Sequence, residues 1–174
     1  MGSATLITGG ARSGKSAQAL EIAEREAAGG RLFFVATAEA LDDEMRARVA
    51  HHRTTRSSRF TTIEEPIALA DAVAKVGFTS GAAIVDCLTL WISNLIGLGL
   101  SDSAILENVS RLTDAIEMSQ LKFVIVTDEV GSGIVPDNPM ARRYRDLLGW
   151  TNQRIAKIAE RVILMVSGIP LQLK

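Results

Sequence analysis

Short apolar runs alternate along the chain with stretches in which apolar residues recur at helical spacing. Ala4-Thr5-Leu6-Ile7-Thr8 is apolar, rich in β-branched residues and bounded by Gly9-Gly10, which predicts a buried strand. Ser16 to Ala28, rich in Ala and Glu, predicts a helix closed by Gly29-Gly30. The pattern continues with a strand at Leu32–Ala36 and a helix at Leu41–His52, whose first turn carries Asp42, Asp43 and Glu44, where carboxylates suit the helix dipole. A third strand is expected at Ala82–Val85 and helices at Leu88–Leu98 and Ser101–Ser119, the latter capped by Ser101 or Asp102. Phe123–Val126 reads as a fourth strand, Pro139–Arg161 as a long helix, Val162–Val166 as a fifth strand, and the tail Leu171–Lys174 as a short additional one. Continuous apolar strands separated by helices indicate an α/β fold with a mostly parallel sheet and helices on both faces. No linker, repeat or low-complexity tract interrupts residues 1–174, so a single domain is expected.

Composition narrows the classes. With 47% hydrophobic and 22% charged residues, wholesale disorder is excluded. A net charge of -1 argues against nucleic-acid binding through bulk charge. One cysteine, Cys87, excludes an intramolecular disulfide and a cysteine-based metal cluster, and fits a reducing cytosol. The N-terminus lacks a basic segment followed by a long apolar one, so a cytoplasmic location is expected. Ala82 to Leu100 has the length of a membrane span and a single charge, Asp86. Thr89, Ser93, Asn94 and Gly97 within it favour a buried strand followed by a core helix, and no stable membrane span is expected.

Between the first strand and first helix stands Gly9-Gly10-Ala11-Arg12-Ser13-Gly14-Lys15-Ser16, which fits G-x-x-x-x-G-K-[ST] in the strand-to-helix context the motif requires. Such a loop turns backbone N–H groups toward phosphate oxygens, and the helix N-terminus adds a favourable dipole. Lys15 is the residue that reaches the β and γ phosphates, and the Ser16 hydroxyl is an Mg²⁺ ligand. A P-loop also needs an acid at the end of a nearby strand. Asp86 is favoured for the nucleotide or metal role; Asp128 and Glu129, after the fourth strand, qualify for substrate binding or as a base.

Both histidines, His51 and His52, lie in a window that also holds Arg46, Arg48, Arg53, Arg56 and Arg59 and no acid between Glu44 and Glu64. The window reads either as a solvated helix end or as a phosphate-attracting patch, since guanidinium forks match phosphate oxygens. Imidazole near neutral pH is a competent nucleophile toward phosphorus. A zinc site is disfavoured, because adjacent helical residues point about 100° apart and no cysteine or third histidine can complete a shell. Arg142, Arg143 and Arg145 read as a solvated helix face, with an arginine lid like that of a nucleotide kinase as the alternative, and Trp91 and Trp150 read as packing residues.

Taken together, Thr8–Ser16, Ala36-Thr37-Ala38, Leu41-Asp42-Asp43-Glu44-Met45, His51-His52-Arg53, Asp86-Cys87-Leu88-Thr89, Glu129-Val130-Gly131-Ser132-Gly133-Ile134-Val135-Pro136, Asn152-Gln153 and Val166–Pro170 resemble the bifunctional adenosylcobinamide kinase/adenosylcobinamide-phosphate guanylyltransferase family of cobalamin biosynthesis. The resemblance implies a P-loop NTPase of RecA-like fold that associates as a homotrimer. It implies two reactions. ATP or GTP phosphorylates the aminopropanol hydroxyl of adenosylcobinamide; GTP then guanylylates a histidine, His52 here, and the cobinamide phosphate takes up the GMP to give adenosyl-GDP-cobinamide. Lys15 joins His52 as the implied catalytic pair. Implied nucleotide contacts are Gly9, Gly10, Ala11, Arg12, Ser13, Gly14, Lys15, Ser16, Ala36, Thr37, Ala38, Arg53, Thr54, Thr55, Arg56, Glu64 and Asp86, with Ser16 and Asp86 holding Mg²⁺. The residues alone also fit a P-loop small-molecule or nucleoside monophosphate kinase without a covalent intermediate, and a non-catalytic nucleotide-binding regulator.

Overall fold

The structure, a computed structural model, describes residues 2–39, 43 and 57–174. In chain order its elements are β1 (Ser3–Gly9), α1 (Lys15–Glu26), β2 (Arg31–Ala36), β3 (Phe60–Glu64), α2 (Leu69–Val76), β4 (Gly81–Asp86), α3 (Leu88–Gly97), α4 (Asp102–Glu117), β5 (Lys122–Val126), α5 (Pro139–Ile158), β6 (Arg161–Val166) and β7 (Ile169–Gln172). The strands form one seven-stranded sheet in the order β3-β2-β4-β5-β1-β6-β7. All pairings are parallel except that of β6 with β7. The expected mostly parallel α/β arrangement is therefore present.

Strand periodicity of two sorts the apolar residues onto two layers. Ile7, Leu32, Phe34, Ala82, Ile84, Val124 and Val126 face α1, which contributes Ala19, Ile22 and Ala23. Leu6, Phe33, Val35, Ala83, Val85, Phe123 and Ile125 face the opposite way, onto α2, α3, α4 and α5. On that side Trp91 is fully buried and its indole N–H donates to the Ile67 carbonyl at 2.8 Å, as a packed tryptophan requires. Trp150 differs from expectation: on α5 it is 47% exposed.

Local chemistry explains the helix starts. Ser101 caps α4, its side chain accepting from the Ala104 amide. Asn138 caps α5 by accepting from Met140 and Ala141, with Pro139 in the first turn, where its missing N–H costs nothing. The long helix ends earlier than the periodicity suggests, at Ile158 rather than Arg161. Ala159 is extended, the Glu160 amide donates to Ala4, and Arg161 already pairs opposite Thr5 in β6. The tail strand begins two residues earlier than expected and pairs back on β6 through a turn at Ser167-Gly168, where both residues have positive φ.

Two elements are additional to the sequence expectation. β3 is an edge strand whose polar Thr61 and Thr62 give it no continuous apolar run. α2 has eight residues, and its N-cap residue, Ala68, makes no side-chain capping hydrogen bond; Glu65 instead accepts from the Ile67 and Ala68 amides. The helix expected over Leu41–His52 falls, apart from Asp43, outside the described residues. Among the described residues no helix is long and apolar enough to cross a membrane. The Ala82–Leu100 stretch is β4 followed by α3.

Candidate active site

The C-terminal ends of β2, β4, β5 and β1 open onto one edge of the sheet. In parallel α/β sheets ligands bind outside the carboxyl ends of the strands. β1 runs directly into the loop 10–14 and α1, which places Lys15 at the first helical position. The loop wraps tightly: a Cβ at Gly9, whose φ is 149°, would collide with the Met165 carbonyl oxygen and the Ser13 hydroxyl. It is braced from the far side by the β6–β7 turn, where the Gly168 amide donates to Ser13 at 3.0 Å. The Ser13 hydroxyl is itself buried with no hydrogen-bond partner among the described residues. A buried hydroxyl without a partner is costly unless a ligand supplies one.

Lys15 is buried and turns its ammonium back over the loop. It donates to Gly9 O at 3.1 Å and Gly10 O at 2.6 Å, and its Nζ lies 2.6 Å from Asp128 Oδ1. The next residue, Ser16, donates from Oγ to Asp86 Oδ2 at 3.4 Å. The two candidate acids therefore divide the P-loop between them. Asp128 follows β5, the immediate neighbour of β1. Asp86 ends β4, one strand further away, yet its carboxylate returns to the Ser16 hydroxyl. One strand, β5, thus stands between the P-loop strand and the strand that carries Asp86.

The strand exits are clamped by side chains, some of which, Thr37 and Asn152 among them, lie in the motifs that carry the family resemblance, while Asn94 and Thr127 lie outside those motifs. Thr37 is fully buried: its hydroxyl donates to the Cys87 carbonyl at 2.7 Å and accepts from the Cys87 amide at 2.8 Å, while its amide donates to Asp86 O. Asn94 holds Thr37 O and Pro66 O together. Thr37 thus fixes the β4 exit that carries Asp86. Burial, with the Asp86 charge next in weight, pushes the Cys87 thiol up to about 12. On the β5 side the Thr127 hydroxyl donates to Asn152 Oδ1, and Asn152 Nδ2 donates to Asp128 O at 3.2 Å. The Asp128 amide donates to the Thr89 hydroxyl at 2.9 Å.

Register puts Glu64, Ala36 and Asp86 in one row across β3, β2 and β4. β3 lies four strand spacings from β1, about 19 Å, so Glu64 stands at the far side of the sheet edge from the P-loop strand. Ala38 follows, half-buried. His52, Arg53, Thr54, Thr55 and Arg56 lie outside the described residues. The α5 arginines are tied into the protein: Arg142 donates to Pro136 O and Asp137 O, Arg143 pairs with Asp102 at 2.6 Å, and Arg145 lies 3.6 Å from Asp146.

A glycine-bounded loop, an invading lysine and a hydroxyl–carboxylate pair make a site for phosphates, and comparison with known proteins specifies the family. The sequence profile of the family described as cobinamide kinase / cobinamide phosphate guanyltransferase matches residues 5–173. The chain belongs to the cobinamide kinase / cobinamide phosphate guanyltransferase family. It is 41% identical over 177 residues to the bifunctional adenosylcobalamin biosynthesis protein CobP of Pseudomonas aeruginosa, covering 97% of this chain and 96% of that one. It is 38% identical to the bifunctional adenosylcobalamin biosynthesis protein CobU of Salmonella typhimurium, over 97% of this chain and 98% of the relative, and 34% identical to its namesake in Escherichia coli, with the same coverage. A member of this family is an enzyme with kinase and nucleotidyltransferase activities, which accounts for a phosphate site at the sheet edge.

Proposed function

We propose that the protein phosphorylates the aminopropanol hydroxyl of adenosylcobinamide with ATP or GTP, and then transfers GMP from GTP through a guanylyl-His52 intermediate to give adenosyl-GDP-cobinamide. The observation that carries this reading is a family match over residues 5–173 combined with the convergence of Lys15, Ser16 and Asp86 on one loop. Lys15 neutralises charge on the β and γ phosphates in both steps. The amides of residues 10–14 and the start of α1 cradle the same phosphates. In the second step the imidazole nitrogen forms a bond to the α phosphorus, pyrophosphate leaves with the electron pair of the broken P–O bond, and the cobinamide phosphate oxygen later displaces the histidine. Arg53 and Arg56, beside His52 in the chain, supply guanidinium forks for the triphosphate.

Mg²⁺ suits the donors present. A serine hydroxyl and a carboxylate within 3.4 Å of each other are hard oxygen ligands. With these two as protein ligands, the remaining positions would fall to water and phosphate oxygens, as is usual for Mg²⁺. Ser16 and Asp86 would hold the ion, which when bound supplies charge neutralisation for the phosphate oxygens. The proposed setting is the cytoplasm, with assembly as a homotrimer.

The deciding experiment is incubation with α-labelled GTP followed by intact-mass measurement. Wild-type protein gains one GMP, acid-labile and base-stable. His52→Asn does not gain it, makes no adenosyl-GDP-cobinamide, and still phosphorylates adenosylcobinamide; His51→Asn labels normally. Labelling of His52→Asn but not His51→Asn would reassign the nucleophile. Phosphorylation by a wild-type protein that never labels would leave a simple kinase.

A further inference from the structure

The end of β5 is the one strand exit that opens between the P-loop strand β1 and the Asp86-bearing strand β4. Asp128 stands there with its backbone fully engaged. Its amide is on Thr89, its carbonyl is on Asn152, and the following amide, of Glu129, donates to Gly9 O at 3.2 Å. None of these bonds uses the carboxylate, which is about a third exposed and contacts Lys15. An ammonium has three protons, and those of Lys15 are matched by Gly9 O, Gly10 O and Asp128 Oδ1. Phosphates bound in the loop must take at least one of them. The neutral carbonyls of the loop stay where they are; Asp128 is the partner that can exchange the ammonium for another donor.

Among the described residues, the other groups at this edge are poorly suited to accept a proton. Asp86 is bonded to the Ser16 hydroxyl. Glu129 accepts from the Gly131 amide at 2.7 Å on the exposed loop. The Cys87 thiol and the Tyr144 phenol are protonated at neutral pH, and burial raises both further, with the Asp86 and then the Asp128 charge adding at Cys87 and the Asp128 charge at Tyr144.

We propose that Asp128 is the proton acceptor of the kinase step, resting against Lys15 until phosphates draw the lysine away. This rests on the reading of the chain as a cobinamide kinase. The acceptor hydroxyl oxygen forms its bond to the γ phosphorus while the bond from that phosphorus to the β,γ-bridging oxygen breaks. The electron pair of the broken bond leaves on the nucleoside diphosphate. The hydroxyl proton passes to an Asp128 carboxylate oxygen and from there to solvent, which the side chain reaches.

The test compares wild type, Asp128→Asn, Asp128→Ala and Asp128→Glu, with γ-labelled ATP and adenosylcobinamide as substrates and a fluorescent ATP analogue to measure nucleotide affinity. General-base loss is expected to lower kcat in Asp128→Asn by about 10²-fold or more, with nucleotide Kd unchanged or tighter. Asp128→Glu keeps a carboxylate and recovers part of the rate. Formate restores turnover to Asp128→Ala, where it fits the vacated space, and leaves Asp128→Asn unaffected. A kcat for Asp128→Asn within about threefold of wild type overturns the assignment. So does a fall in kcat matched by weakened nucleotide binding and unrelieved by formate, which makes Asp128 a positioning residue for Lys15. Absence of phosphoryl transfer by wild type defeats the kinase reading itself; transfer by wild type and Asp128→Asn alike defeats only the role of Asp128.

Discussion

At the N-terminal ends of the strands, polar groups are matched to one another for good. Arg161 is bonded to Glu26 and to the Thr5 hydroxyl. Ser119 is buried between the Gly77 carbonyl and the Leu121 amide. Gly30 and Gly81 let two backbones touch where β2 and β4 begin. At the C-terminal ends the matching is provisional. Lys15 rests on Asp128, Ser16 rests on Asp86, and the Ser13 hydroxyl has no partner among the described residues. The first set has no partner to gain by opening; the second can exchange internal partners for phosphate oxygens. Deeper clamps such as Thr37 and Asn152 keep the exchangeable groups on a rigid base, which is what preorganised electrostatic catalysis needs.

Substitutions at the two ends should therefore separate activity from stability. The largest effect is expected at Lys15→Ala, which removes the ammonium aimed at the phosphates. Both phosphoryl transfer and guanylyl transfer should fall by roughly 10²–10³-fold while thermal unfolding moves little, because the Asp128 left behind is solvent-accessible. Near-normal rates in that variant would erase the contrast between the two ends. Gly81→Ala is the reverse case. With φ at 135°, an added Cβ meets the Arg31 carbonyl oxygen and amide nitrogen, neither of which can move without parting β2 from β4. A loss of about 3 kcal/mol is expected, or roughly 6–12 °C in Tm for a chain of this size, with kinetic constants retained in whatever remains folded. Calorimetry showing an unchanged Tm would mean that the strand start yields more easily than its geometry suggests. The smallest effect is expected at Arg111→Ala. Its pair with Asp71 at 2.9 Å joins α4 to α2 with both side chains more than half exposed, so stability should shift by no more than about 0.5 kcal/mol and activity not at all.

Sequence periodicity carried most elements because strand and helix patterns are local. The buried strands β2, β4, β5 and β6 are each announced by four or more apolar residues in a run, and β1 by Ala4, Leu6 and Ile7, interspersed with Thr5 and Thr8 and followed by Gly9-Gly10. β3 and α2 escaped because their stability comes from docking: β3 is polar along an edge, and α2 is short and borrows its start from Glu65. The P-loop was legible for the same local reason, since its chemistry lies in eight consecutive residues.

What the chain order by itself determined is the phosphate loop, its lysine and serine, the α/β alternation and the family. What it left open was which acid meets which P-loop residue. Asp86 and Asp128 both stand at the ends of apolar strands; Asp86 is favoured for the nucleotide or metal role, but nothing near either of them in the chain pairs Asp128 with Lys15. The strand order does: β5 inserts beside β1 and brings Asp128 to Lys15, while β4 sits one place further out and sends Asp86 to Ser16. The order of parallel strands is decided by how crossover helices pack on the two faces of the sheet, a sum of contacts between residues far apart in the chain. For that reason the pairing of acids with lysine and serine, and the burial of Thr37 behind Asp86, belong to the tertiary structure alone.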